Sequence, residues 1–298
     1  MHATWNVLLK TAADPLQTAG RGMIVGAGAL IPIGLAAWLA SDRPAIPDDA
    51  WRLAVLSGVL EAAYFVFLSA AYRRGDLSLV YPIARGTAPV LSVGVGVVLL
   101  GERLEVAGWI GVGLLLAGIL ALQKPWAVFR RGSQMPRQAR QAAIFALLTG
   151  VTIASYSAVD RDGARLVNPL FYAAMLWTFT TIFLLGWIGL AIRRDRARAG
   201  GQPAVTLSVH PAGGLLGRTW VRAGIGGLIT VAAYLFVLIA YRYAPLTAVA
   251  PLRESAIVII SGWGSLRLKE APGRRDATVR IGVAVIVVIG AVLLATEG

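Results

Sequence analysis

Nine apolar runs of about 20 residues, set apart by charged or Pro/Gly-rich punctuation, govern what this chain can fold into. They fall at about 16–40, 52–72, 77–100, 104–123, 142–160, 168–192, 220–241, 245–266 and 277–295. A helix crossing the hydrocarbon core of a bilayer needs about 20 apolar residues. In lipid every backbone polar group must be satisfied internally, so unbroken apolar runs of this length predict spanning helices. Residues Met1 to Leu9 read as the end of a tenth helix without its beginning, and the native first helix is expected to start upstream of Met1. Ten spans would use roughly 200 positions, and the chain has 298. Composition agrees, with 57% hydrophobic and 14% charged residues against roughly 45–50% and 25% in soluble domains. The expected fold is an all-α integral membrane protein of ten transmembrane helices, the first one truncated.

Several chemistries are excluded at this stage. Cysteine is absent, which removes thiolate metal sites, cysteine nucleophiles and disulfides. Two histidines, His2 and His210, are too few for a zinc or haem cluster, so neither a metal nor a cofactor is expected. A membrane-embedded enzyme would need clustered acid/base groups near an interface. Asp160-Arg161-Asp162 forms such a knot but reads as a helix-end anchor, so no enzyme is expected. The net charge of +13 needs no nucleic-acid partner. Most Lys and Arg sit in the first, third, fifth, seventh and ninth connections, which the positive-inside rule places in the cytoplasm, with both termini outside. The first residues lack a basic n-region and a cleavage site, so a signal peptide is not expected. The expected setting is a bacterial inner (plasma) membrane, crossed many times.

The runs are organised as a duplication. Ala62-Ala63-Tyr64-Phe65 matches Ala232-Ala233-Tyr234-Leu235, and Tyr72-Arg73 matches Tyr241-Arg242. Leu77 to Ile83 then matches Leu246 to Leu252, with Pro82 and Pro251 169 positions apart, and Glu102 recurs near Glu270. The expected domains are a five-helix repeat over 1–123, a basic loop over 124–141 and a second five-helix repeat over 142–298. An odd helix count makes the second repeat enter the membrane from the opposite side. Such inverted repeats place a substrate site near the bilayer midplane and permit alternating access.

Charges at membrane depth mark where that site lies, since each costs at least about 2.5–3.5 kcal/mol on insertion scales. Glu61, Arg85, Arg253 and Glu254 all fall well inside predicted spans. Arg85 and Glu254 occupy equivalent repeat positions with opposite charge, so they face each other across the pseudo-axis either as a structural ion pair or as a substrate or proton site. Glu61 has no acidic counterpart and suits a proton-coupling group, unless Arg85 or Arg253 partners it. Pro82, Gly86 and Pro89, with Pro245 and Pro251 in the counterpart helix, read as backbone breaks beside a cavity or as packing kinks. Tyr64, Tyr81, Tyr234, Trp5 and Asn6 supply candidate aromatic walls and hydrogen bonds. Gly22 to Gly26 and the glycines of Gly108 to Gly118 read as close helix packing or the face of a homodimer. Glu102 and Glu270 read as carboxylates favouring the N-termini of the helices they precede, with no transport role.

Trp5-Asn6, Tyr72-Arg73-Arg74-Gly75-Asp76-Leu77-Ser78, Tyr81-Pro82-Ile83-Ala84-Arg85-Gly86 and Gly101-Glu102-Arg103 together resemble the EamA-like, ten-helix branch of the drug/metabolite transporter superfamily. The resemblance covers the whole chain apart from the missing half helix. It implies a carrier of five plus five inverted helices, a central cavity lined by helices one, three, four, six, eight and nine, and a peripheral pair of helices five and ten. It also implies export or uptake of metabolites, often with proton coupling. The expected function is secondary active transport of a small polar solute by alternating access. Buried Arg85 and Arg253 favour an anionic or zwitterionic one, because guanidinium binds such groups bidentately. A lipid flippase or a non-transporting membrane scaffold is the alternative.

Overall fold

A computed structural model describes residues 8–123, 136–198, 217–254 and 274–295. All regular structure among the described residues is helical. In chain order the elements are α1 (the helical residues 8–10), α2 (Pro15–Ala40), α3 (Asp48–Arg74), α4 (Leu77–Val98), α5 (Val106–Gln123), α6 (Arg137–Leu166), α7 (Pro169–Arg198), α8 (Arg218–Tyr243), α9 (described over 246–254) and α10 (Arg274–Ala295).

Local chemistry sets the helix ends. Asp14 caps α2, its carboxylate accepting from Leu16 N at 2.9 Å and Gln17 N at 3.2 Å, with Pro15 opening the first turn. In α3, Asp48 and Asp49 sit in the first turn and Arg73 and Arg74 in the last, each complementing the helix dipole. The largest departure from the apolar runs is α6, which extends beyond 142–160 at both ends. Hydropathy stops where Arg137, Arg140 and Asp160 begin, whereas helical hydrogen bonding continues through charged residues that find partners. The prolines of α4 do not break it either: the helix runs through Pro82 and Pro89. Each proline removes one backbone donor, and the rest of the ladder carries the helix across.

Helix α6 packs on α3 and on α4, α2 packs on α7 and α8, and α7 also packs on α3. These elements share one apolar core. Helices α5 and α10 form a side pair with a separate small core of Val112, Leu115, Ile119, Val283 and Val287. Glycine permits the tightest approaches. A Cβ on Gly227 of α8 would collide with the backbone of Gly22 in α2, and one on Gly111 of α5 would meet the Gly290 carbonyl of α10 at 2.8 Å. Gly22 of α2 and Gly111 of α5 are therefore met from within the chain, whereas Gly113 of α5 meets nothing within 4 Å.

The polarity of the bundle is inverted relative to a soluble protein. Ile31, Ile33 and Leu35 of α2, Ile182 of α7, Ile225 and Phe236 of α8 and Ile289 of α10 are exposed. Glu61, Arg85, Asp160 and Glu254 are buried. Five of the described helices are long and apolar enough to cross a membrane: Pro15–Ala40, Asp48–Arg74, Arg137–Leu166, Pro169–Asp195 and Thr219–Tyr243. An apolar exterior around a charged interior is the arrangement that lipid selects.

One capping device occurs twice. At the end of α1, Lys10 Nζ donates to the carbonyls of Tyr72 (3.2 Å) and Gly75 (2.8 Å), closing the C-terminus of α3. At the end of α6, Arg165 donates to the carbonyls of Tyr241 (2.8 Å) and Ala244 (3.1 Å), closing the C-terminus of α8. The two pairs of acceptors are offset by the 169 positions that separate Arg85 from Glu254.

Candidate functional site

The charged interior is built where α3, α4, α6 and α9 converge. Arg85 of α4 donates through Nη1 to Glu254 Oε1 of α9 at 2.8 Å, with both side chains buried. Arg253 Nε reaches the same oxygen at 3.1 Å, and Arg253 Nη1 donates to Ser157 Oγ of α6 at 3.4 Å. One carboxylate oxygen thus gathers two guanidinium groups. In so apolar a setting, each ion is tolerated because the others are there.

Glu61 of α3 lies beside this network at 2% exposure. Its charged neighbours are Asp160 and Arg253, and the Thr180 hydroxyl of α7 bonds to it. Its Oε2 has no hydrogen-bond partner among the described residues. A buried acceptor of that kind loses its hydration without replacement, so it has spare capacity, as does the buried Tyr81 hydroxyl.

Asp160 was not expected here. Its side chain is fully buried and accepts from Tyr172 Oη (3.0 Å) through Oδ1 and from Tyr234 Oη through Oδ2. The apolar run ends at this residue, which makes it read as an anchor at a helix end. In fact α6 continues to Leu166, and Asp160 sits in the core where α6, α7 and α8 meet. A local signal existed: Tyr156, Ser157 and Asp160 recur at helical spacing on one face, an unusual polar stripe for a surface anchor.

The aromatic candidates form a continuous wall. Tyr64, Tyr156 and Tyr234 meet edge to face, with ring centroids 6.0 Å and 5.7 Å apart, and Trp177 packs against Tyr234 at 6.1 Å. The Tyr64, Tyr156 and Tyr234 side chains all feel the Glu61 carboxylate electrostatically. Tyr81 lies one turn before Arg85 on α4 and interacts with Arg85 and Glu254. Structure therefore brings Glu61, Tyr64, Tyr81, Arg85, Tyr234, Arg253 and Glu254 into one region and adds Tyr156, Ser157, Asp160 and Tyr172. Trp5 and Asn6 lie outside the described residues.

Glu102 differs from its expected role. Its carboxylate does not serve α5, the helix it precedes. It accepts from the backbone amides of Leu246 (Oε1, 2.8 Å) and Thr247 (Oε2, 2.9 Å), at the start of α9. Glu270 lies outside the described residues.

Among the described residues, no group of three or more metal-ligating side chains converges. Buried ions of both signs, hydroxyls and aromatic faces are suited to holding a small polar solute or passing a proton.

A model of the EamA-like transporter family matches residues 1–123 and 140–296. Among curated proteins, the chain is similar to the uncharacterized transporter YwfM of Bacillus subtilis (strain 168), at 24% identity over 61% of this chain and 57% of that protein. It is similar to an uncharacterized transporter in the cobO 3'region of a Sinorhizobium species, at 32% identity over 26% of this chain and 54% of that one. It also resembles the spermidine export protein MdtI of Salmonella paratyphi B (strain ATCC BAA-1250 / SPB7), at 39% identity over 23% of this chain and 63% of the relative. The chain spans between 54% and 63% of the length of these relatives. A solved crystal structure superimposes with a TM-score of 0.62 at 19% identity, covering 99% of this chain and 95% of the other. That likeness extends to the fold.

Proposed function

Because this chain belongs to the EamA-like transporter family, a family of multi-pass membrane transporters, we propose that it is a secondary carrier of a small zwitterionic or anionic metabolite. It works across the bacterial inner membrane by alternating access between two inverted five-helix halves. The observation that carries this reading is the Arg85–Glu254–Arg253 network, lying beside Glu61 and Asp160 inside an apolar-faced bundle.

The duplicated capping by Lys10 and Arg165 supports the repeat, since equivalent bonds recur at equivalent places. The direct bond between the equivalent residues Arg85 and Glu254 supports a pseudo-axis passing between them. An ion pair on such an axis can open toward either face of the membrane.

Charge counting narrows the solute. The cluster holds two guanidinium groups, Arg85 and Arg253, against three carboxyl groups, Glu61, Asp160 and Glu254. The guanidinium groups offer a site for a carboxylate or other oxyanion. The surplus carboxyl group takes a proton or a solute ammonium. A zwitterion satisfies both ends, and Glu61, whose Oε2 is unpartnered, is the group we assign to proton coupling. A polyamine, as the name of the spermidine-export relative suggests, would meet the surplus carboxyl group but make no use of Arg85 and Arg253, which Glu254 already pairs.

The test is a metabolite mixture presented to proteoliposomes, with uptake and efflux read by mass spectrometry, for wild type against Arg253→Met and Glu61→Gln. The expected result is that zwitterions or organic anions move in wild type and not with Arg253→Met, while Glu61→Gln loses response to an imposed pH gradient. Flux of every solute unchanged in both variants would overturn the assignment. Labelled phospholipid crossing between leaflets with no soluble solute moving would make the protein a flippase.

A further inference from the structure

Helix α9 begins directly after Pro245, and its first amides have no partners within the helix, as at every helix start. The backbone supplies part of what is missing: the amides of Ala248 and Val249 bond to the Pro245 carbonyl at 3.2 and 3.1 Å. The remaining two, on Leu246 and Thr247, are both taken by the carboxylate of Glu102, from a residue more than 140 positions earlier. Arg161 of α6 adds its Nε 3.1 Å from Glu102 Oε1. Glu102 is itself buried, and it is aimed by Gly101, whose φ of +63° lies in the left-handed region, and by its own amide bonding to the Gly96 carbonyl at 2.9 Å.

The consequence concerns α4 and α9. They are joined at depth by Arg85 and Glu254, and joined again at one end of the bundle by Glu102, which follows α4, and the start of α9. Glu254 and Leu246 are eight residues apart on α9, roughly 12 Å of helix. Two bonds that far apart close the seam between the helices from the charged site to that end. On the far side of the seam, Arg165 ties α6 to the α8–α9 turn, so Glu102 reaches a corner that is already braced.

We propose that Glu102 is a gating residue: its carboxylate latches α9, and releasing that latch opens the buried site to the end of the bundle where α4 ends and α9 begins. The inference rests on the carrier reading above. Glu102 touches neither Arg85 nor Glu254 in the described contacts, so it acts by positioning α9, not as part of the charged site.

The chain contains no cysteine, so single cysteines report without background. Thr247→Cys places a thiol at the latch, where the native side chain is fully buried, and Arg103→Cys, in the exposed loop beside it, marks that face. The measurement is the labelling rate by a membrane-impermeant thiol reagent added from the face that labels Arg103→Cys. Three backgrounds are compared: wild type, Glu102→Gln and Gly96→Ala. The last leaves the carboxylate intact but places a Cβ 2.6 Å from Glu102 Oε2, so it displaces the latch sterically. Losing charge-assisted bonds to two amides should raise the labelling rate at least about tenfold in both backgrounds, the equivalent of one such bond.

A merely structural cap would lower thermal stability without changing the rate from that face at a temperature where the protein is folded. That outcome overturns the proposal. Ser157→Cys, inside the charged site, is measured in parallel. If it labels from both faces while Thr247→Cys ignores both latch variants, the gate is wrong and the carrier stands. If Ser157→Cys labels from neither face in any background, the carrier reading itself fails.

Discussion

Removing the Glu254 carboxylate should cost more than removing either of its guanidinium partners. Glu254→Leu leaves Arg85 facing no carboxylate at 2.8 Å and Arg253 without its 3.1 Å acceptor, both inside the bundle. Breaking a buried pair by deleting one partner costs about 3–5 kcal/mol, and here two ions are stranded at once, so the upper end applies. Arg85→Met leaves Glu254 still bonded to Arg253, and the loss is that of one charge-assisted hydrogen bond, about 1.5–3 kcal/mol. The double variant strands only Arg253, which keeps the Ser157 hydroxyl at 3.4 Å. It should therefore be no less stable than Glu254→Leu alone, a coupling of at least about 1.5 kcal/mol. The assay is unfolding of the purified protein in mixed micelles, followed by loss of helical signal, for the four members of the cycle. Additivity within about 0.5 kcal/mol, or an Arg85→Met cost equal to that of Glu254→Leu, would refute the shared-oxygen arrangement.

Two further outcomes follow from the packing. Tyr172→Phe and Tyr234→Phe each remove one hydroxyl from the Asp160 carboxylate, and each should cost about 1.5–3 kcal/mol in the same unfolding assay. Equal stability to wild type would mean that Asp160 is not held in this way. Gly227→Ala forces a Cβ into the Gly22 backbone and should destabilise by about 1–3 kcal/mol, whereas Gly28→Ala meets nothing within 4 Å and should stabilise by about 0.5–1 kcal/mol through helix propensity.

The elements were largely legible in the sequence because the apolar runs record the lipid directly. The expected span 16–40 became Pro15–Ala40, and 277–295 became Arg274–Ala295. Where charge mixes into a helix, local hydropathy loses the thread, as at both ends of α6. The same averaging hides Asp160, whose burial depends on Tyr172 and Tyr234 arriving from other helices. Glu102 illustrates a second limit. A carboxylate just before a helix reads locally as serving that helix, and only the fold reveals that it serves α9 instead. Arg85 and Glu254 were readable together because the matching stretches of sequence set them at equivalent positions 169 apart, and the structure bonds them at 2.8 Å.

The most direct test of a solvent-reached, charge-bearing site between the two halves is the reactivity of Ser157→Cys. Ser157 is fully buried, and its hydroxyl accepts from Arg253, so the substitution is nearly isosteric and lies within the cluster. In proteoliposomes the account predicts slow labelling by an impermeant reagent from each side in turn, slowed further by the transported solute. A thiol that reacts from neither side, yet reacts fully on unfolding, would describe a permanently dry core and contradict the account.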